Sequence, residues 1–178
     1  GARFAENGFF YIYATFTLAY ATQALGMNRQ DILNAVLMAA SIEVLTIPAF
    51  GALSDKLGRR PVYIFGAVFS ALMSFPLFML LATKSPDAAK LAIVLGLAVG
   101  HAAMYGPQAS FLSELFRTRV RYSGVSLGYN LASVFAGALS PLIATWLMTR
   151  YAPATGPISA YMIGLELITV VSVYFAAE

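Results

Sequence analysis

The sequence predicts an all-α membrane protein of six transmembrane helices, and three observations carry that prediction. Of its 178 residues 60% are hydrophobic and only 11% charged, well under the roughly 25% charge of an ordinary soluble domain. The apolar residues come in blocks long enough to cross a hydrocarbon core, which takes about 20 helical residues at about 1.5 Å rise. Between the blocks stands short charged or Pro/Gly-rich punctuation, with no room for a soluble domain.

Taken in order, the first span covers 4–26 and stops at the polar connection 27–31; the second covers 32–53 and stops at the charged stretch 54–60. The third, 61–82, is closed by 83–88, and the fourth, 89–111, by the basic stretch 112–121. The fifth runs 122–148 and, after 149–157, the sixth runs 158–177, so that 1–178 reads as one transmembrane domain. Pro48, Pro76, Pro107 and Pro141 fall within or near the ends of spans. There the missing backbone donor must be compensated by neighbouring helices or water, and kinks are expected. Small residues recur at four-residue spacing in Gly66, Ser70 and Ser74, in Gly96 and Gly100, and in Gly124, Gly128, Ala132 and Ala136, which predicts close helix–helix approach.

Basic residues in short loops are retained on the cytoplasmic side. Arg3, Lys56, Arg59, Arg60, Arg117, Arg119 and Arg121 lie on one side and Arg29, Lys84, Lys90 and Arg150 on the other, so both ends of the segment are expected in the cytoplasm, in a multi-pass plasma (inner) membrane protein. The first span is too long for a signal-peptide core and lacks a small-residue cleavage site. A start at Gly1 without methionine suggests a trimmed chain. The absence of cysteine excludes disulfides and thiolate metal sites. A net charge of +3 is too small to argue for a nucleic-acid partner.

Charged groups inside a bilayer are costly and ask for an explanation. Glu43 stands in the middle of the second span, where a carboxylate facing a central cavity is suited to carry a coupled proton. Glu6 lies in the first turns of the first span, placed to snorkel or to pair with Arg3. Glu166 is central in the sixth span and reads as a buried structural contact. His101, Tyr105 and Gln108 follow at spacings of four and three, on one helical face, and form the leading candidate substrate stripe. His101 is the one histidine, and imidazole ordinarily titrates near neutral pH. Asn7, Tyr11 and Thr15 repeat every four residues on the first span, with Gln23 further on, and Ser126, Asn130 and Ser133 form a shorter polar line on the fifth. The substrate-binding candidates are therefore Asn7, Tyr11, Thr15, His101, Tyr105, Gln108 and Asn130, and the proton-coupling candidates Glu43 and His101. Beyond His101, no basic residue at mid-membrane stands ready for an organic anion. No paired aspartates, His-Glu metal spacing or Gly-x-Ser-x-Gly elbow falls in a span, so neither a metal site, nor a cofactor, nor enzyme catalysis is expected.

Two loops carry a family resemblance. Gly51, Asp55, Lys56, Gly58, Arg59 and Arg60 fill every defined position of G-x-x-x-D-[RK]-x-G-[RK]-[RK], which resembles the signature loop of the major facilitator superfamily. Glu114, Phe116, Arg121 and Gly124 resemble the E-x-F-P-x-x-x-R-x-x-G pattern of its metabolite:proton symporter branch, with Arg117 in place of the proline. The stretches from Ser126 to Asn130 and from Gly137 to Thr145 are similar to the penultimate helix of that branch. The resemblance covers nearly the whole chain but only the C-terminal half of such a transporter.

It implies two inverted three-helix repeats, with the first and fourth spans lining the cavity, the second and fifth facing the other half, and the third and sixth packed outside. Function is then expected to be proton-coupled symport of an organic acid or zwitterion, with the proton as coupling ion and Asp55, Arg59, Arg60, Glu114 and Arg121 as gate residues. The partners implied are the lipid bilayer, an N-terminal six-helix half and a small-molecule substrate. A uniporter or sugar porter of the same superfamily, or a stand-alone six-helix assembly protein, remains open on the sequence.

Overall fold

The computed structural model describes residues 1–176, which contain helices and no strand. Residues 4–24 form one continuous helical run, α1, in which α-helical turns alternate with two π-helical segments, Ile12–Phe16 and Tyr20–Ala24. The other five helices are α2 (Arg29–Leu57), α3 (Arg59–Ala82), α4 (Pro86–Glu114), α5 (Arg121–Tyr151) and α6 (Gly156–Tyr174), each long and apolar enough to cross a membrane. Further π-helical segments interrupt α4 at Gly96–His101 and α5 at Ser133–Ala138.

Local chemistry explains the helix ends. The Asn28 side chain accepts the Gln30 N–H at 2.8 Å and starts α2, and the Ser85 hydroxyl accepts the Ala88 N–H at 3.4 Å, with Pro86 in the first turn of α4. Both are N-caps that satisfy donors left free by the helix. The connection expected at 54–60 shrinks to one residue. Gly58 turns the chain at φ 96°, a conformation that costs other residues dearly. Asp55 and Lys56 therefore belong to the last turns of α2 and Arg59 opens α3.

The contacts reveal the internal symmetry. α1 packs on α5 as α4 packs on α2; α3 packs on α4 as α6 packs on α1; and α3 packs on α6. Exchanging the first three helices for the last three maps this set of pairs onto itself, as two inverted three-helix repeats require. Burial is uneven: 61% of the apolar stretch of α4 is buried, against 28% for α5 and 11% for α2. Leu37, Met38, Val44 and Leu45 on α2 and Leu127, Leu142 and Trp146 on α5 stand exposed.

The small-residue stripes divide into two kinds. A Cβ on Gly66 would lie 2.8 Å from Met104 Cγ and 2.9 Å from the Gly100 carbonyl oxygen, whereas one on Gly128 would meet nothing within 4 Å. Gly66→Ala is expected to separate α3 from α4 and destabilise the bundle by about 1–3 kcal/mol, seen as a lower Tm in detergent. Gly128→Ala should leave Tm unchanged or raise it, since alanine is the better helix former.

Candidate functional site: a buried charge network at the centre of the bundle

The polar residues of α1, α2 and α4 meet in one network. Glu43 and His101 sit midway along α2 and α4, 7% and 5% exposed, and His101 Nδ1 lies 2.6 Å from Glu43 Oε1. On the other edge of the imidazole, Nε2 lies 3.3 Å from Glu6 Oε1. One ring thus bridges two buried carboxylates. The ring is held between Phe10 and Tyr105, with centroids 5.0 Å and 5.4 Å away.

Glu6 Oε2 accepts Gln108 Nε2–H at 2.9 Å and pairs with Arg3 Nε at 3.2 Å. Gln108 also donates to Tyr63 Oη at 3.0 Å, and the Tyr63 hydroxyl donates to the Ala2 carbonyl at 2.9 Å. Arg3 completes the chain: Nε also donates to Gln108 Oε1 at 3.3 Å, and Nη1 donates to the Tyr129 carbonyl at 2.9 Å and to Ser133 Oγ at 2.6 Å. Its guanidinium carbon stands 3.2 Å from the centre of the Tyr129 ring, a cation–π contact. Paired and bonded in this way, the charges meet the requirement for burial that isolated ions would fail.

A cavity of about 370 Å³ opens on this network. Arg3, just before α1, and Glu6, Asn7, Phe10 and Tyr11 of α1 form one wall, Glu43 and Ile47 of α2 a second, and His101 and Tyr105 of α4 with Tyr129 of α5 the rest. Of the substrate-binding candidates, Asn7, Tyr11, His101 and Tyr105 face this cavity. Gln108 lies behind its wall, 2% exposed, where it orients Glu6. Thr15 points outward from the π-helical segment Ile12–Phe16, and Asn130 turns its amide back onto the Ser126 carbonyl at 2.8 Å, beside a separate cleft that also contains Arg121.

One expectation changes: Arg3, counted with the loop cations, is buried and lines the cavity. Of the two roles expected of Glu6, it takes the pairing with Arg3, at 3.2 Å, and does not snorkel; it is 2% exposed and at the heart of the network. The Arg3-x-x-Glu6 spacing, three residues on a helix, is the local signal for this pair. Glu166 is buried as expected, 1% exposed, but neither carboxyl oxygen has a hydrogen-bond partner among the described residues; nothing in the structure explains a carboxyl there.

A second charged cluster sits at the end of the bundle that carries Gly58. Arg59 Nη1 pairs with Asp55 Oδ1 at 2.8 Å and Arg59 Nε with Glu114 Oε1 at 2.7 Å, tying α2, α3 and α4 together. Of the cations among the expected gate residues, Glu114 takes Arg59 and not Arg121, its partner in the sequence motif. Antiparallel packing of α3 on α4 brings Arg59 level with Glu114, whereas Arg121 opens α5 beyond a six-residue connection and donates to the Phe116 carbonyl at 3.4 Å. Arg60 stands next to this cluster in the chain, at the start of α3.

A polytopic helical bundle with inverted repeats, a central cavity and a buried ionisable network defines a membrane transporter class. Comparison gives the family: residues 7–177 match the family described as sugar (and other) transporter, and the chain belongs to that branch of the major facilitator superfamily. It is 35% identical to the shikimate transporter of Escherichia coli (strain K12) over 159 residues, which cover 89% of this chain and 36% of that protein. It is also 35% identical to the inner membrane metabolite transport protein YhjE of the same organism, covering 89% of this chain and 37% of that one. With the citrate-proton symporter of Klebsiella pneumoniae it shares 29% identity, across 78% of this chain and 31% of the symporter. The chain thus spans about a third of the length of these relatives. No solved structure matches it.

Proposed function

We propose that this chain is the C-terminal half of a secondary active transporter that carries a small organic acid or zwitterion together with protons by alternating access. The observation that carries the reading is the imidazole of His101 between the carboxylates of Glu43 and Glu6, at 2.6 Å and 3.3 Å, on the wall of a cavity. Such a cluster gains and loses a proton where a substrate can feel its charge. Asn7, Tyr11 and Tyr105 supply polar contacts to the substrate on the same wall, and the exposed apolar faces of α2 and α5 take the N-terminal six-helix half. Both ends of the segment lie in the cytoplasm in this reading, which makes Asp55, Arg59, Arg60, Glu114 and Arg121 an inner gate. Shikimate, citrate and glycine betaine, named for the relatives, set the substrate range.

The test uses the full-length transporter in proteoliposomes, supplied with labelled shikimate, citrate, glycine betaine and glucose while external pH is followed. Symport predicts that the transported acid or zwitterion alkalinises the medium as it enters. Uptake with no pH change would instead support a uniporter, and uptake of glucose a sugar porter.

A further inference from the structure

Arg3 is held in place on four sides, yet its guanidinium is not used up. Nε serves Glu6 and Gln108, Nη1 serves Tyr129 and Ser133, and the plane lies against the Tyr129 ring. The third nitrogen, Nη2, makes no hydrogen bond among the described residues. It is not one of the sealed, unbonded atoms such as Asn7 Nδ2 and Tyr13 Oη. Arg3 lines both the cavity beside Glu43 and His101 and a second cleft between the start of the chain and α5, and a preorganised guanidinium with a spare donor in such a place is suited to a carboxylate, which it binds in a planar, charge-assisted fashion.

The charges say when that site is available. With a neutral imidazole, Arg3, Glu6 and Glu43 leave the network one negative charge in excess, and a second anion would be repelled. One proton on the His101–carboxylate bridge cancels the excess, and a substrate carboxylate then restores it. The titratable groups around Arg3 and Glu6 are Glu43 on α2, Tyr63 on α3, His101 and Tyr105 on α4, Tyr129 on α5 and Glu166 on α6. Among them only His101 can add positive charge.

We propose that Arg3 is the seat for the substrate carboxylate, and that Glu6 is the resident anion the substrate displaces from it. In the empty site Glu6 shares its carboxylate between Arg3 and the Gln108 amide. When substrate arrives its carboxylate takes the guanidinium, and Glu6 turns its charge to the protonated His101, already 3.3 Å away. The proton comes from the aqueous phase and leaves to it; no bond other than that N–H or O–H forms or breaks. This assignment rests on the transport reading above and names the chemistry that reading leaves open.

Arg3→Gln alone would strand Glu6, so the decisive variant in the full-length transporter is Arg3→Gln with Glu6→Gln, which removes both charges and leaves a polar amide in place of each. The probes are the acid or betaine of the panel above that wild type binds best and its analogue with one carboxylate replaced by a primary carboxamide. Losing a charge-assisted bond predicts a rise of about 10- to 100-fold in the half-saturating concentration of the carboxylate, with carboxamide binding unchanged. In Glu6→Gln alone the resident anion is gone, so carboxylate binding should tighten at alkaline pH and its pH dependence flatten.

Equal losses for carboxylate and carboxamide would make Arg3 a structural residue. A retained preference for the carboxylate in the double variant would also overturn the proposal, as would a wild-type pH profile in Glu6→Gln. If wild type moves no protons the symport reading fails instead, and carboxylate-against-carboxamide binding still judges Arg3.

Discussion

In a transporter carrying His101→Gln, the roughly tenfold gradient that a pH step of one unit sustains per coupled proton collapses to unity, while exchange of labelled for unlabelled substrate continues. Among the described residues the imidazole is the one group that pairs with both Glu43 and Glu6, so its removal leaves two buried carboxylates with Arg3, paired to Glu6, as the cation among those residues. Breaking a buried pair costs about 3–5 kcal/mol, enough to threaten the fold, and the effect on coupling is cleanly read in His101→Gln combined with Glu43→Gln. That pair of changes lowers the negative charge along with the proton site and keeps Glu6 on Arg3. Accumulation and exchange measured side by side in proteoliposomes give the answer. Persistent accumulation in the double variant would show that the proton travels elsewhere.

Arg59→Ala is expected to slow transport about tenfold with little change in stability. The pairs it makes with Asp55 and Glu114 are partly solvent-exposed, with side chains 25%, 63% and 57% accessible, and such pairs contribute about 0–1 kcal/mol to folding. Their position matters more than their strength. They join the ends of three helices about 20 Å along α4 from His101, where a contact that exists in one state and not the other shifts the balance between them. A shift of about 1.4 kcal/mol is tenfold in that balance. Initial uptake rates and Tm, measured on the same preparations, separate the two effects; an unchanged rate would remove Arg59 from the gate.

The helices were legible because the apolar runs are long and their punctuation strong, and Gly58 with its flanking charges marked the tightest turn. Glu43 and His101 were legible as mid-membrane ionisable groups, though nothing local could show that they touch. The network around them depends on how α1 is rotated against α4, across 95 residues of chain between Glu6 and His101. Four-residue spacing alone put Asn7, Tyr11 and Thr15 on one face. Asn7 and Tyr11 do line the cavity, whereas Thr15, in the π-helical segment Ile12–Phe16, is exposed one turn beyond its lining. Arg3 was misread for a related reason: charge counting treats every cation near a span end alike, whereas a glutamate one turn later and a tyrosine ring on α5 draw this one inward.

Proton uptake on substrate binding tests the central claim most directly. In weakly buffered detergent solution at alkaline pH, where the empty network has released its proton, adding the transported acid to the full-length wild-type protein should withdraw about one proton per substrate bound, and Glu43→Gln should bind substrate with that uptake lost. Undiminished proton uptake by Glu43→Gln would contradict the assignment of the coupled proton to the Glu43–His101–Glu6 network.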